Sequence, residues 1–255
     1  MIRVCVAGIT GWTGGPVAEA VRSADDLELV AGVSRTNSAH FSSVADALDA
    51  VAADVMVDYT HASAVDANVR AALERGVGVV VGSSGLGGEE YDAIDDLARE
   101  HGVGVIAAGN FSVSAALVLR FATEAARHFD TWEVIDYASA GKQDAPSGTA
   151  RELAERLDTV RRPVVDVPVD DVLGAREARG ATVAGTQVHS LRLPGFVVST
   201  EVVFASGGER LTLRHDAGQT PGPYVAGTLL AIRALAGRIG LTRGLDRILG
   251  DEPVA

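Results

Sequence analysis

The segment with the most chemical information contains the only lysine of the chain. Lys142 stands in the run Gly-Lys-Gln-Asp-Ala-Pro-Ser-Gly-Thr-Ala, which joins a predicted strand to a predicted helix. All other residues among the 22 Lys+Arg are arginines. Arginine stays protonated at any working pH, whereas a lysine in dry surroundings can exchange a proton near neutrality. We therefore interpret Lys142 as a candidate general acid.

The same run offers hydrogen-bond donors to an anion. The backbone N–H groups of Ser147, Gly148 and Thr149 lie at a predicted helix start, where unpaired N–H groups and the helix dipole favour a carboxylate. A structural interpretation stays open, because Ser147 or Thr149 could simply cap the helix. A coding bias against lysine could also leave a single lysine at any position in the chain. We predict a site for an anionic small molecule here.

A second candidate site follows the first predicted strand. Gly8, Gly11 and Gly14 are three residues apart, and Trp12 and Thr13 complete this loop before a predicted helix. A doubly wound sheet needs glycines at this point for a tight bend, for close approach to a pyrophosphate and for helix–strand packing. The spacing predicts dinucleotide binding, with a plain strand-to-helix turn as the alternative.

The end of the second predicted strand favours NADPH over NADH. An NAD site usually has an acidic side chain here to bind the ribose hydroxyls, whereas this chain has Ser34 and Arg35. Ser34 can donate a hydrogen bond to a phosphate, and Arg35 can pair with it by charge. NADPH is the predicted cofactor and NADH the second choice. An ordinary solvated arginine is the alternative interpretation of Arg35.

The elements that must position these residues alternate regularly in the first half of the chain. The predicted order is strand 2–8, helix 16–23, strand 27–33, helix 44–51, strand 55–59, helix 64–75, strand 77–81, helix 89–101 and strand 103–107. Strands that alternate with helices imply parallel crossover units. The sequence therefore predicts an α/β fold with a doubly wound, Rossmann-type parallel sheet.

The second half of the chain does not keep the regular alternation of strands and helices. We predict helix 114–128, strand 131–137, helix 150–160, three strands between 186 and 214, and helix 224–239, which could return to the first domain. Short segments with proline and glycine between these strands predict tight turns, and hence a second, smaller α+β domain with a mixed or antiparallel sheet. The charged segment 166–184 is predicted to be a surface excursion.

Composition excludes several classes of function. A formal charge of −12 disfavours nucleic acid and anionic membrane surfaces as partners. No apolar run is long enough for a membrane helix, and no cationic leader follows Met1, so we predict a soluble cytoplasmic protein. The single cysteine, Cys5, is predicted to be a buried thiol. We predict no metal site.

The run from Lys142 to Thr149 resembles the signature of the 4-hydroxy-tetrahydrodipicolinate (dihydrodipicolinate) reductase family of the lysine pathway. Four other segments are similar to that family along nearly the whole chain. They are the loop Gly8–Gly14, the turn Gly82-Ser83-Ser84-Gly85, the run Asn110-Phe111-Ser112, and the strand 211–216 with its following helix.

The resemblance implies hydride transfer from NAD(P)H to a cyclic, unsaturated imine dicarboxylate in a homotetramer assembled through the second-domain sheets. Residues 1–110 and 222–255 would form the dinucleotide-binding domain, and residues 111–221 the substrate-binding and oligomerisation domain. Lys142 would be catalytic. The implied substrate residues are Ser84, Ser139, Ser147, Gly148 and Thr149. The implied cofactor residues, beyond Gly8, Gly11, Trp12, Thr13, Gly14, Ser34 and Arg35, are Gly82, Ser83, Ser84, Gly109, Asn110 and Phe111.

One departure from the family pattern concerns the proton donor. The family has histidines four and three residues before the lysine, and here those positions are Ala138 and Ser139. Neither is a general acid near neutral pH, so Lys142 or water must donate the proton unless another side chain does. The other candidates are Tyr137, His128, His189 and His215. A non-catalytic NADPH-binding regulator, or an oxidoreductase of another cyclic imine or amino acid, remains an alternative function.

Overall fold

The computed structural model of the chain describes residues 1–249. The chain divides into two compact units. Unit 1 contains Met1–Val113 and the segment that begins at Thr220, and unit 2 contains Ser114–Gln219. Each unit is built around its own β-sheet. The last six residues of the predicted dinucleotide-binding domain, 250–255, lie outside the described residues.

Eleven strands and seven α-helices form these units within residues 1–249. In chain order they are β1 (Ile2–Ala7), α1 (Gly14–Ser23), β2 (Leu27–Val33), α2 (Val44–Ala50), β3 (Val55–Asp58), α3 (Val65–Leu73), β4 (Gly78–Val81), α4 (Gly88–Glu100), β5 (Gly104–Ala107), α5 (Val113–Ala125), β6 (Thr131–Ala138), α6 (Gly148–Asp158), β7 (Ala181–Val183), β8 (Thr186–Arg192), β9 (Val198–Ser206), β10 (Glu209–Asp216), α7 (Gly222–Ala234) and β11 (Gly240–Arg243).

Unit 1 contains a six-stranded sheet in the order β11-β5-β4-β3-β1-β2, and every neighbouring pair is parallel. Strands β3, β4 and β5 are buried along their whole length, which is why they appear in the sequence as continuous apolar runs. The predicted doubly wound parallel sheet is confirmed. The strand order reverses between β1 and β3, and ligands of such sheets bind beyond the carboxyl ends of the strands at this switch point.

Helix α7 and strand β11 complete unit 1 after the chain has left unit 2. α7 packs against α1 and β4, as the predicted return helix requires. A Cβ atom on Gly227 would lie 1.9 Å from the carbonyl oxygen of Phe111, so only glycine fits there. The predicted helix 224–239 was too long, because it ends at Ala234 and β11 follows beside β5. Strand β11 contains Thr242 and Arg243 and is not an apolar run as β4 and β5 are, so it was not predicted.

Unit 2 contains a five-stranded mixed sheet in the order β10-β9-β6-β8-β7. The pair β6–β8 is parallel and the other three pairs are antiparallel, which confirms the predicted mixed sheet. Its core packs β6, β8 and β9 against α5 and α6. The predicted surface excursion 166–184 was partly wrong, because its end forms β7 and pairs with β8. The rest of that segment consists of exposed turns and short 3-10 helices.

Two properties expected from the composition can be compared with the structure. Cys5 is fully buried in β1, as predicted, and desolvation raises the pKa of its thiol to about 12. Between Met1 and Leu249, no helix is long and apolar enough to cross a membrane.

Candidate active site

The glycine loop after β1 is held against the end of β3. Gly8 has φ +81°, and a Cβ atom there would lie 2.2 Å from the carbonyl oxygen of Tyr59. A Cβ atom on Gly14 would lie 2.2 Å from the carbonyl oxygen of Gly8. The N–H of Gly11 donates to that same Gly8 oxygen at 2.8 Å. The glycines therefore let β1, the loop and α1 approach each other more closely than any side chain would permit.

This loop offers backbone donors beside an aromatic ring. Within residues 1–249, the N–H groups of Trp12 and Thr13 have no protein acceptor, and they precede the N-terminus of α1. Unpaired donors beside a helix N-terminus form a site for a phosphate. Trp12 is 55% exposed, and its ring centroid lies 5.9 Å from that of Tyr224. The loop thus combines anion donors with a flat apolar surface.

Ser34 and Arg35 follow β2 and have different environments. Ser34 is buried, and its Oγ lies 3.0 Å from Oγ1 of Thr10, so this side chain links the end of β2 to the glycine loop. Arg35 is exposed, and its guanidinium has no acidic partner in the part of the chain that is described. Arg35 is therefore available to an anionic ligand, while Ser34 is already engaged by protein groups.

Asp58 is a functional candidate that sequence reasoning missed. It is 0% exposed at the end of β3, and its Oδ1 accepts bonds from Thr60 N at 3.0 Å and from Ser83 Oγ at 2.5 Å. Its Oδ2 accepts a bond from Asn68 Nδ2 at 2.8 Å. This carboxylate ties the turn after β4 to the end of β3. An aspartate that closes an apolar strand, with a threonine two residues later, was the available signal.

The Gly82–Gly85 turn packs on a buried tyrosine. A Cβ atom on Gly82 would lie 2.2 Å from the ring of Tyr59. The Tyr59 hydroxyl donates to Thr228 Oγ1 at 2.6 Å, because that oxygen donates in turn to the carbonyl of Tyr224. Desolvation raises the pKa of Tyr59 far above its usual value. Ser84 is exposed on this turn.

The segment after β5 supplies the last of the predicted cofactor residues. Gly109 leads into Asn110, whose Oδ1 accepts a bond from Ser112 N at 2.8 Å. Phe111 is buried, and its ring centroid lies 6.2 Å from that of Tyr59, with an angle of 69° between the two ring planes. All the residues predicted to bind a dinucleotide therefore lie in unit 1, in loops that follow β1, β2, β4 and β5.

In unit 2 the lysine loop, residues 142–148, lies between β6 and α6. Lys142 Nζ pairs with Asp144 Oδ1 at 2.8 Å, and the Lys142 side chain remains 28% exposed. The backbone N–H of Lys142 donates to the carbonyl of Ser139 at 3.0 Å, which closes a turn directly after the strand. Desolvation tends to raise the pKa of Asp144, but the hydrogen bond and charge of Lys142 lower it to below its usual value. The peptide bond between Ala145 and Pro146 is cis.

The start of α6 offers fewer free donors than the sequence suggested. Ser147 is buried, and its N–H donates to Asp136 Oδ2 at 2.8 Å, so this group is not available to a substrate. Its Oγ donates to Asp136 Oδ1 at 2.6 Å and accepts the helix-capping bond from Ala150 N. Gly148 is exposed, and its N–H has no protein acceptor within residues 1–249. Thr149 follows it in the first turn of the helix.

The buried carboxylate of Asp136 is a second group that sequence reasoning missed. Besides the two bonds from Ser147, its Oδ2 accepts bonds from Ser190 Oγ at 3.1 Å and from Arg192 Nη2 at 2.8 Å. The same Arg192 nitrogen donates to the backbone oxygen of Asp144 at 2.7 Å. The signal was a charged residue on the core face of β6, where Trp132 and Val134 also point.

Ala138, Ser139 and the other proton-donor candidates have different surroundings. Ala138 is buried at the end of β6, and Ser139 is exposed after it. Tyr137 alternates to the opposite face of the sheet, where its hydroxyl donates to Glu201 at 3.1 Å. His189 is bound to Glu133 at 2.6 Å.

The two remaining histidines of the donor hypothesis differ in burial. His128 is exposed after α5. His215 is buried on β10, and desolvation lowers its pKa. Of the candidate proton donors, Lys142 is the one that lies in the loop between β6 and α6. In residues 1–249, no cluster of three His, Cys, Asp or Glu side chains could hold a metal.

Two family models together match almost all of the described chain. Dihydrodipicolinate reductase, N-terminus, matches residues 2–111, and dihydrodipicolinate reductase, C-terminus, matches residues 114–249. This chain is a member of the dihydrodipicolinate reductase family. Members of this family are oxidoreductases, so the protein is an enzyme of that class.

Curated relatives and solved structures agree with this family. 4-hydroxy-tetrahydrodipicolinate reductase from Cutibacterium acnes is 39% identical over 99% of this chain and 100% of the relative, and that from Beutenbergia cavernae is 40% identical over 97% and 98%. The dipicolinate-bound dihydrodipicolinate reductase from Paenisporosarcina sp. TG-14 superimposes with a TM-score of 0.81 at 28% identity, covering 97% of this chain and 99% of that one. An amine dehydrogenase from Mycobacterium smegmatis, with 15% identity and a TM-score of 0.65 over 96% and 95% of the chains, shares only the fold.

Proposed function

We propose that this dihydrodipicolinate reductase family member is an NADPH-dependent reductase of a cyclic, unsaturated imine that carries two carboxylates. The observation that carries the proposal is the position of Lys142, the only lysine, directly before the N-terminus of α6 in a chain that reductase models match from residue 2 to 249. A cation and the free backbone N–H of Gly148 in one loop suit a carboxylate substrate. The names of the relatives support the same substrate class.

The proposed cofactor residues fit a dinucleotide. Gly8, Gly11 and Gly14 place no side chain at three positions of the loop, and Trp12 and Thr13 contribute unpaired N–H groups for the phosphates. We assign the 2′-phosphate to Arg35, with Ser34 bordering it and NADH as the weaker ligand. Gly82, Ser83, Ser84, Gly109, Asn110 and Phe111 would surround the nicotinamide half. When bound, the dihydronicotinamide supplies the hydride.

Four of the five proposed substrate residues lie in unit 2, and the fifth, Ser84, lies in unit 1. Gly148 and Thr149 would donate backbone N–H groups to a substrate carboxylate, and Ser139 would border the ring. Ser147 serves this site by capping α6, since its own hydroxyl and N–H are engaged by Asp136. We further propose that this member works without the histidine pair, so that the proton comes from Lys142 or from water.

The remaining organisation follows the family. We propose that residues 1–110 and 222–255 bind the dinucleotide and that residues 111–221 bind substrate and mediate assembly. The proposed assembly is a cytoplasmic homotetramer that binds no nucleic acid and no membrane, consistent with the net charge of −12.

The decisive assay uses purified protein, NADPH and the unstable imine generated in situ by dihydrodipicolinate synthase. We expect NADPH oxidation, followed by its absorbance, at a rate proportional to the protein concentration. Tight NADPH binding without turnover on this or any related cyclic imine would instead identify a regulator. NADP reduction by a cyclic amino acid would identify an enzyme working in the opposite direction.

Replacing Arg35 with alanine tests the cofactor assignment. We expect the Kd for NADPH to rise about tenfold to a hundredfold and the Kd for NADH to stay nearly constant, because only NADPH has the 2′-phosphate that the guanidinium would bind. Calorimetric titration with both dinucleotides measures this change. Arg22→Ala removes another exposed arginine of unit 1 and is the control. Equal changes for both dinucleotides contradict the assignment.

A further inference from the structure

We infer that Asp136 is a positioning residue that holds both ends of the lysine loop, residues 142–148, in their active arrangement. This inference rests on the proposed function, because it assigns a role to that loop. Asp136 is 0% exposed and does not need to touch substrate. Its two oxygens accept four hydrogen bonds from Ser147, Ser190 and Arg192.

The first connection fixes the anion-binding end of the loop. Asp136 accepts both the N–H and the hydroxyl of Ser147, at 2.8 and 2.6 Å. Because the Ser147 hydroxyl donates to the carboxylate, its lone pair must face Ala150 N, which lies 3.3 Å away in the first turn of α6. The carboxylate therefore orients the first turn of α6, where Gly148 and Thr149 would meet a substrate carboxylate.

The second connection fixes the cationic end of the loop. Arg192 Nη2 bridges Asp136 Oδ2 and the backbone oxygen of Asp144, at 2.8 and 2.7 Å. Asp144 in turn pairs with Lys142 Nζ at 2.8 Å. A series of three polar contacts thus connects the buried carboxylate to the ammonium group. Both functional ends of the loop depend on one side chain that lies on strand β6.

Stability alone does not explain this arrangement. Asp136 is fully buried and the Arg192 side chain is only 17% exposed, so both ions have lost most of their hydration. Buried ion pairs are often no more stable than apolar side chains of the same volume, and the neighbouring core positions of β6 are apolar. What an apolar residue could not do at position 136 is direct Ser147 and Arg192 toward the loop.

Asp136→Asn is the test, and the single lysine provides a readout that needs no substrate. We expect the rate at which an amine-selective reagent modifies Lys142 to rise about threefold to tenfold, because the bridge to Asp144 is lost. We also expect the Kd for dipicolinate, as a dicarboxylate probe, to rise at least about tenfold. The Kd for NADPH should stay constant. Arg192→Met should raise the rate of Lys142 modification in the same way, because it removes the same bridge to Asp144.

Two matched variants separate positioning from simple destabilisation. Trp132→Phe removes a buried hydrogen bond to Thr186 from the same face of β6 without contacting the loop. It should lower the melting temperature and leave both Lys142 modification and dipicolinate binding unchanged. Asp58→Asn alters an equally buried carboxylate in unit 1 and should affect NADPH binding instead.

The outcomes distinguish this inference from the proposed function. Unchanged Lys142 modification in Asp136→Asn overturns the positioning role, as does an equal change in Trp132→Phe at an equal loss of melting temperature. If wild-type protein neither binds dipicolinate nor reduces an imine, the proposed function fails. In that case, a higher rate of Lys142 modification in Asp136→Asn than in the wild type would still support Asp136 as the residue that positions the loop.

Discussion

Lys142→Ala should lower kcat/KM for the imine substrate by about a hundredfold to ten-thousandfold, the usual effect of removing a positioned proton donor. NADPH affinity should be nearly unchanged, because every proposed cofactor residue lies in unit 1 and Lys142 lies in unit 2. Steady-state kinetics with the imine and calorimetric titration with NADPH measure the two quantities separately. The loss should be largest in kcat, since a proton donor acts in the transition state.

Lys142→Arg is the informative partner of that variant. Arginine keeps the positive charge beside the start of α6, so dicarboxylate affinity should be largely retained. It does not release a proton at any working pH, so kcat should remain as low as in the alanine variant. Normal turnover in both variants would exclude Lys142 as the donor and leave water in that role. Normal turnover in Lys142→Arg alone would reduce the lysine to a binding charge.

Gly14→Ala should abolish useful NADPH binding and also destabilise unit 1. The added Cβ atom would lie 2.2 Å from the carbonyl oxygen of Gly8, and neither backbone segment can move without separating α1 from β1. We expect the Kd for NADPH to rise at least about a hundredfold and the free energy of unfolding to fall by roughly 2–4 kcal/mol. Urea unfolding and calorimetric titration give these two values.

Gly88→Ala is the matched control for that substitution. Gly88 is the first residue of α4, and a Cβ atom there would have no neighbour within 4 Å. The free energy of unfolding of Gly88→Ala should be unchanged or higher by up to about 1 kcal/mol, because alanine restricts the unfolded chain. Native NADPH affinity in Gly14→Ala would mean that the loop can rearrange and that close packing does not define the site.

The sequence predicted the elements that show a continuous apolar run or a helical spacing of apolar residues, because both patterns depend on neighbouring residues alone. Strands β3, β4 and β5 are runs of valine and other apolar residues between turn signals, and the helices between them have clear apolar periodicity. Strand β7 has only three residues and β11 contains two polar ones, Thr242 and Arg243, so neither is a continuous apolar run, and their pairing with β8 and β5 decides their conformation. Tertiary pairing of this kind leaves no pattern in a short segment.

The candidate site likewise has a part that the sequence predicted and a part that it did not. The glycine loop and the run from Lys142 to Thr149 are made of residues that are close in sequence, so their types and spacing could be interpreted directly, although the ion pair of Lys142 with Asp144 was not predicted. The role of Asp136 depends on Ser190 and Arg192, which are 54 and 56 residues away. These partners meet because β6 and β8 pair in one particular register. Sheet register is set by the complete fold, so the sequence showed the buried charge without showing its partners.

The pairing of β11 with β5 affects the order in which the protein folds during synthesis. All of unit 2 lies between these two strands in the chain, and α7 also packs against unit 1 only after unit 2 has been made. While the ribosome is still translating unit 2, β5 can pair with β4, but its other edge has no partner strand until β11 is made. Unit 2, whose pairings are confined to its own segment, can therefore mature before unit 1 is complete.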